Sequence, residues 1–249
     1  MTMPLDWDPT PEETKKLPAL VVPPIPGVLP FEGAHNPLTR SNTARRVSMV
    51  IPTPATKGVP QVYHFDGERE MAVALEALLS PDLFCLEVQL PKIFFDFPKG
   101  KHKREKWPGH HFDLRLTFSD GHKRAVYVKN GTSLATRKTQ DEITAICEAT
   151  PQSFADDVIV VNGDHYTMAY RDNLRRLFYL HGKTNTDADR HVENVARNAN
   201  YWYISDLTGQ CDLAPHDAWQ SVMRLIGQRV LGANWYNVIN VHSKVWLNA

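Results

Sequence analysis

Proline sets the first limit on what this chain can fold into. Twelve of its 18 prolines fall within residues 1–60, at 4, 9, 11, 18, 23, 24, 26, 30, 37, 52, 54 and 60. Proline fixes φ and removes a backbone donor, so the stretch is read as neither regular helix nor inner sheet. We read it as a Pro-rich N-terminal arm, either disordered or wrapped on the domain or a partner. The run Ala19-Leu20-Val21-Val22, with Ile25 and Val28, suits docking on an apolar surface. The whole chain, 249 residues long, has room for one large or two small domains.

Regular signals begin after residue 60. The spacing predicts a helix over 66–79, with Met71, Ala74, Leu75 and Leu78 on one stripe. Residues 83–90 and 92–97 read as strands that meet at Pro91. Apolar and polar residues alternate from Phe112 to Phe118, the mark of a half-buried strand. A turn at 119–122 and a strand over 125–129 make a hairpin of it. A helix over 136–149, a strand over 158–161, a turn at 162–164 and a helix over 170–179 complete an α/β domain, 61–182, with a mixed sheet flanked by helices. Residues 183–190 are polar and read as a linker. Beyond them come helices over 191–199 and 202–207, and a third opened by Pro215. Two strands, within 235–241 and 244–247, follow. Three helices and a hairpin describe a small winged helix-turn-helix domain, 183–249.

Charge looks uninformative until it is read locally. Lys+Arg and Asp+Glu both number 28, which excludes a uniformly basic nucleic-acid protein. Residues 92–138 nevertheless hold twelve lysines and arginines against four acids, a net +8. Within them Lys99, Lys101, Lys103, Arg104 and Lys106 form the candidate DNA-binding run, since phosphate contacts supply most non-specific affinity. Residues 187–249 carry five basic and six acidic side chains, a net −1, which suits a protein partner better than DNA. No apolar run reaches the length of a membrane span. The acidic, Pro-rich start lacks a signal peptide's apolar core. Cys85, Cys147 and Cys211 have neither disulfide nor zinc spacing, which fits a cytoplasmic location.

Four residues raise a chemical possibility. Glu68 and Glu70 open the first helix, Asp113 lies on one hairpin strand and Lys129 on the next. A carboxylate and a lysine on neighbouring strands can meet at a sheet edge. There the acid can hold Mg²⁺ through oxygen, and the lysine can orient water or balance phosphorane charge. Each residue also has an ordinary reading. Acids favour helix N-termini, Asp113 sits on the polar phase of its strand, and Lys129 ends a strand before Asn130-Gly131. Neighbouring histidines such as His110 and His111 point to opposite faces of a strand, so they are read as loop residues near phosphate. Trp202, Trp219, Trp235 and Trp246 are expected to fill the C-terminal core.

The order of these residues resembles the TnsA-type transposon endonucleases of the PD-(D/E)xK nuclease superfamily. The resembling pieces are Glu70, then Leu86-Glu87-Val88-Gln89-Leu90-Pro91, then Phe112-Asp113-Leu114, then a Gly turn and Val126-Tyr127-Val128-Lys129. Asn173-Leu174-Arg175-Arg176-Leu177 is similar to the family's later Asn-Leu-x-x-Leu helix. The resemblance spans roughly residues 61–249 and implies a restriction-endonuclease-like fold with a C-terminal winged helix. It implies Glu70, Asp113 and Lys129 as catalytic, Glu70 and Asp113 as ligands of Mg²⁺ or Mn²⁺, and Gln89 as the supporting strand glutamine. Only the family spacing favours Glu70 over Glu68. The implied activity is hydrolysis of a phosphodiester at transposon ends, with DNA, a transposase and an ATPase regulator as partners.

Two departures stand out. Phe112 replaces the family's proline, and Tyr127 stands where the family has an acid or glutamine. A neutral phenol is a poor ligand for Mg²⁺. Three resolutions stay open. Asp113, Glu70, a backbone carbonyl and water hold the metal; or Asp141 or Glu142 supplies the missing acid; or the chain is a catalytically weakened nuclease fold that binds DNA or protein.

Overall fold

The computed structural model describes residues 20–38, 46–96 and 109–248. The first strand already lies in the Pro-rich arm. β1 (Val47–Ile51) runs antiparallel to β2 (Gln61–Phe65), in register from Val47↔Phe65 to Ile51↔Gln61. The stretch is not inner sheet: among the described residues β1 is an edge strand, paired on one side only, and a local reason allows it. Pro52, Pro54 and Pro60 sit in the connection between the two strands, where no ladder donor is lost. Upstream, Leu29 bridges Gln61 in parallel. The Ala34 N–H donates to the Gln89 carbonyl at 2.7 Å. Residues 28–38 therefore form a strap across the domain.

α1 (Glu68–Leu78) follows β2 and buries Met71, Ala74, Leu75 and Leu78, the stripe its spacing predicts. β3 (Leu83–Val88) then enters the main sheet. Among the described residues β4 (Ile93–Phe94) and β5 (Gly109–His110) pair only with each other, so the described part of the strand expected over 92–97 contracts to two residues. β6 (Leu114–Phe118) and β7 (Lys123–Lys129) form the expected hairpin. After α2 (Gly131–Leu134) and α3 (Arg137–Ala149), β8 (Asp157–Asn162) lies parallel to β7. The sheet order is β3-β6-β7-β8, with its first two pairings antiparallel and its last parallel. It is the mixed sheet expected.

Strand alternation gives this sheet two cores. Leu86, Val88, Leu114, Leu116 and Val126 face α1 and α4 (Met168–His181). Ala125 and Tyr127 face the other way, with Ile146 of α3 and Phe112. Leu174 and Leu177, from the Asn-Leu-x-x-Leu stretch, are almost fully buried and extend the first core beyond the sheet. That core continues to Val222 and Ile226 of α7 (Pro215–Gly227). Glu76 of α1 ties the same two regions by accepting from Tyr166 and Tyr170, each at 2.8 Å, and from Arg229 at 2.9 Å.

The C-terminal part holds α5 (Thr186–Asn198), α6 (Ile204–Gly209), α7, and a two-stranded pair of β9 (Leu231–Ala233) and β10 (Val245–Leu247). Three expectations change. The polar run 183–190 is mostly helix, because the Asn185 side chain caps α5 by accepting from the Ala188 N–H. Within that run, Asp189 meets the buried Arg224 at 2.6 Å. Residues 235–241 are not a strand, because Asn173 takes up their backbone groups. Its amide donates to the carbonyls of Trp235 (3.0 Å) and Asn237 (2.7 Å), and its oxygen accepts from the Ile239 N–H (3.0 Å). Finally, Trp235 is buried, but Trp202 is 73% exposed and Trp246 48% exposed. Among the described residues no helix is long and apolar enough to cross a membrane.

Candidate functional site

Three elements bring Glu70, Asp113 and Lys129 to one end of the sheet. Asp113 lies just before β6, where its N–H donates to the Val126 carbonyl (3.1 Å). Its Oδ2 accepts from the Val128 N–H at 2.7 Å, which fixes the carboxylate against β7. Lys129 ends β7, on the same strand face as Tyr127. Its ammonium lies 5.0 Å from the centre of the Tyr127 ring. Glu70 comes from the first turn of α1. Its Oε2 accepts from the Asp66 N–H (2.9 Å) and from the Gln89 amide (3.4 Å).

The two helix glutamates meet different neighbours. Glu68 points to α4, where Arg171 and Arg175 hold it at 3.2 and 3.5 Å. Glu70 points to Gln89, and its charge is felt with that of Asp113. The ordinary reading of Glu70 also has substance, since the bond to the Asp66 N–H satisfies an orphan donor at the start of the helix. Gln89 is 2% exposed and adopts a left-handed φ of 52°. Its N–H donates to the Asp113 carbonyl (3.1 Å) and its carbonyl accepts from Ala34. A non-glycine residue in this region stores backbone strain of about 1–3 kcal/mol, a common feature of functional sites.

The electrostatics are unfavourable to two free charges. Burial raises the Glu70 pKa above the usual carboxylate range, and the Asp113 charge raises it further. Burial likewise raises Asp113, and Asp66 adds to this; the Val128 N–H and Lys129 oppose it. A third acid, Asp66, therefore belongs to the constellation, although its own carboxylate is engaged by Arg46 at 2.8 Å. Sequence reasoning used Asp66 only as a helix boundary. The available signal was its position between β2 and the acid-bearing helix turn.

The two neighbouring histidines part to different sides. The His110 ring lies 4.1 Å from that of Tyr127, and burial, Lys129 and His111 push its pKa down to about 4. His111 hydrogen-bonds the Leu90 carbonyl through Nδ1 (2.7 Å) and packs on His35 of the strap, 4.7 Å between centroids. His35 has no local sequence signal, because the strap delivers it from far upstream. Burial raises the Tyr127 pKa, against Lys129, while the charges of Glu142 and Asp113 raise it further. Of the two acids considered on α3, Glu142 thus reaches Tyr127 electrostatically, and Asp141 is exposed. Lys99, Lys101, Lys103, Arg104 and Lys106 lie outside the described residues.

Two converging carboxylates with a lysine beside them fit an oxygen-loving divalent cation. Among the described residues no group of three or more His, Cys, Asp and Glu side chains is arranged to hold an ion. Any further oxygen ligands are then water, backbone, or an acid released from another partner. Searches of protein-family models and of curated proteins find no match to this chain.

Proposed function

We propose that this chain is a metal-dependent DNA endonuclease of a transposition system, hydrolysing a phosphodiester at transposon ends. The observation that carries the proposal is the convergence of Glu70 and Asp113, each with a raised pKa, beside Lys129. Titratable residues with strongly perturbed pKa values cluster at functional sites. The transposition context, a restriction-endonuclease-like fold and a winged helix rest on the resemblance of the motif order to TnsA-type enzymes.

In this reading Asp113 and Glu70 hold Mg²⁺ or Mn²⁺. The ion, when bound, would polarise the scissile phosphate as a Lewis acid and offset its negative charge. Asp113 is kept in one orientation by the Val128 N–H. Gln89 does the same for Glu70. Lys129 offsets phosphate charge and orients the attacking water. Exposed Trp202, Tyr236, Val241 and Trp246 on the C-terminal part, with its net charge of −1, suit a protein partner such as the ATPase regulator. The test is nicking of transposon-end DNA in the presence of Mg²⁺ or Mn²⁺, with the transposase and regulator supplied. Loss of nicking in Asp113→Asn and Lys129→Ala supports the assignment, and nicking untouched by both removes these residues from the mechanism.

Metal binding also has a signature apart from activity. Without metal, the folded protein holds protons on Glu70 and Asp113 at a pH where the unfolded chain has lost them. The folded state then binds more protons, so this contribution to stability falls as pH rises above about 4 towards the raised folded values. A divalent cation needs the ionised carboxylates, so its stabilisation grows over the same range. The rise in Tm caused by Mg²⁺ is therefore expected to be larger at about pH 8 than at about pH 6. Scanning fluorimetry at both values checks this, with Asp113→Asn abolishing the difference.

A second reading has its own observation. The Lys129 ammonium lies against the Tyr127 phenol ring, where the family keeps an acid or glutamine. A catalytically weakened nuclease fold acting as a DNA- or protein-binding factor follows from that. It predicts DNA binding with no metal-dependent cleavage even when the partners are present.

A further inference from the structure

We propose that the groove between α4 and α7 is a docking site for an acidic amphipathic helix of a partner protein. This goes beyond the nuclease reading and does not depend on it. Arg175, Arg176 and Tyr179 of α4 line one wall, and Trp219 of α7 lines the other. Leu180 and Met223, both buried, form the floor. The cavity holds about 400 Å³, a size that suits bound side chains. On α7 the lining residues His216, Trp219, Gln220 and Met223 fall at i, i+3, i+4 and i+7, one stripe along the helix. Trp219, expected in the C-terminal core, packs on that core but stays partly exposed. The groove thus has the form that a third helix fills.

Its rim is cationic and its floor is apolar. No acid lines the groove among the described residues. α4 carries Arg171, Arg175 and Arg176 against Asp172 alone. The Arg176 guanidinium donates to two neutral acceptors, the Ile239 carbonyl (2.9 Å) and the Asn173 amide oxygen (2.8 Å), and neither offsets its charge. The Lys183 ammonium, just past α4, lies 3.8 Å from the centre of the Tyr179 ring. Tyr179 itself is 65% exposed. Arginine, tyrosine, tryptophan and methionine are the side chains that interface centres favour.

These features choose the occupant. A nucleic-acid backbone would meet the rim but leave Leu180, Met223 and Trp219 without an apolar partner. A wholly apolar segment would fill the floor and leave Arg176 and Lys183 unanswered. An amphipathic helix with leucine or an aromatic residue at its anchor positions covers the floor. Glutamate or aspartate beside those anchors meets the cations, and the charge match selects which helices enter.

The test uses the full chain and a fluorescein-labelled peptide of about 14 residues, with leucine and tryptophan at i, i+3, i+4 and i+7 and glutamate elsewhere. A counterpart peptide has lysine for glutamate. Anisotropy, read without metal or DNA, is expected to show the glutamate peptide bound about tenfold more tightly than the lysine peptide. Tyr179→Ala removes an exposed ring and is expected to weaken that binding about tenfold with Tm unchanged. Gln220→Glu keeps the size of its side chain, adds a like charge to the rim and should weaken binding about threefold. The proposal is overturned if the parent binds neither peptide, if it binds both alike, or if either variant binds the glutamate peptide as tightly as the parent. It is also overturned by another occupant. A DNA duplex that displaces the peptide and binds Tyr179→Ala more weakly than the parent gives the groove to nucleic acid. A dimer of the free chain, seen by sedimentation and lost in Tyr179→Ala, gives it to a second copy. Tighter peptide binding by full-length Trp7→Ala gives it to the chain's own acidic start. None of these results alters the nicking assay, so this inference and the nuclease reading stand or fall separately.

Discussion

Asp113→Asn is expected to lower metal-dependent nicking about a thousandfold or more while leaving the protein folded. The size follows from what is removed, an anionic ligand whose loss forfeits about 4 kcal/mol of charge stabilisation in the transition state. The fold should survive because asparagine has the same shape. Its Oδ1 can still accept from the Val128 N–H, the bond that Asp113 Oδ2 makes now. Stability should even rise at neutral pH. Asp113 is a partly buried acid whose pKa is raised by burial and by Asp66, so its ionisation opposes folding there. Removing it also relieves Glu70, which feels the Asp113 charge. Higher Tm with lost activity is the pattern of a residue kept for function at some expense of stability. Lys129→Met tests the other side of the same balance. It withdraws a favourable charge from Asp113, so nicking should fall while the Tm gain is absent. Thermal denaturation beside a nicking assay reads both quantities, and an Asp113→Asn protein that is less stable at neutral pH would contradict the electrostatic account.

The contrast between Asp113 and His35 explains how much of the site could be read in the sequence. Asp113 and Lys129 sit on a hairpin with clear alternation and a Gly121 turn, so local period alone set them on neighbouring strands. Glu70 needed the motif order, because helical spacing treats Glu68 alike. Only tertiary structure separates them, by sending Glu68 to Arg171 and Arg175. Asp66 had only its position before the acid-bearing helix turn, four residues from Glu70. Arg46 and His35 had no signal, because they arrive from a strand and a strap whose contacts with the site are long-range, and no periodicity encodes a contact of that kind. Within the arm, the edge strand β1 had no signal while proline was counted over a whole segment. Its effect is felt one residue at a time, and the five residues of β1 contain none. The sheet order was legible in outline because β6 and β7 are joined by a tight turn. The parallel addition of β8 follows from the crossover through α3.

Asn173 carries the second large effect, and here the expected loss is of structure. It is fully buried, and each of its amide's polar atoms is in use: two carbonyls accept from Nδ2, and Oδ1 takes the protons of Ile239 N–H and the Arg176 guanidinium. Asn173→Ala strands those backbone groups in the 235–239 loop without water to replace their partner. At about 1–3 kcal/mol for each buried group left unpaired, the total should reach about 3–5 kcal/mol. Asn173→Asp is the sharper variant. It keeps an acceptor for Ile239 and for the Arg176 guanidinium but replaces a double donor with an acceptor, aimed at two carbonyl oxygens. At neutral pH it should be at least as destabilised as the alanine variant, although it deletes no atom. Protonation would give the new acid an O–H that one carbonyl can accept, so its folded pKa should be raised. The folded state of Asn173→Asp then binds the extra proton, and its stability relative to the parent should improve as pH falls towards about 4. Asn173→Ala has no such proton, so its deficit should not follow that trend. Urea denaturation of both variants across that range separates a hydrogen-bond clamp from simple packing. If Asn173→Asp matches the parent at neutral pH, the clamp is not what keeps residues 235–241 out of a strand.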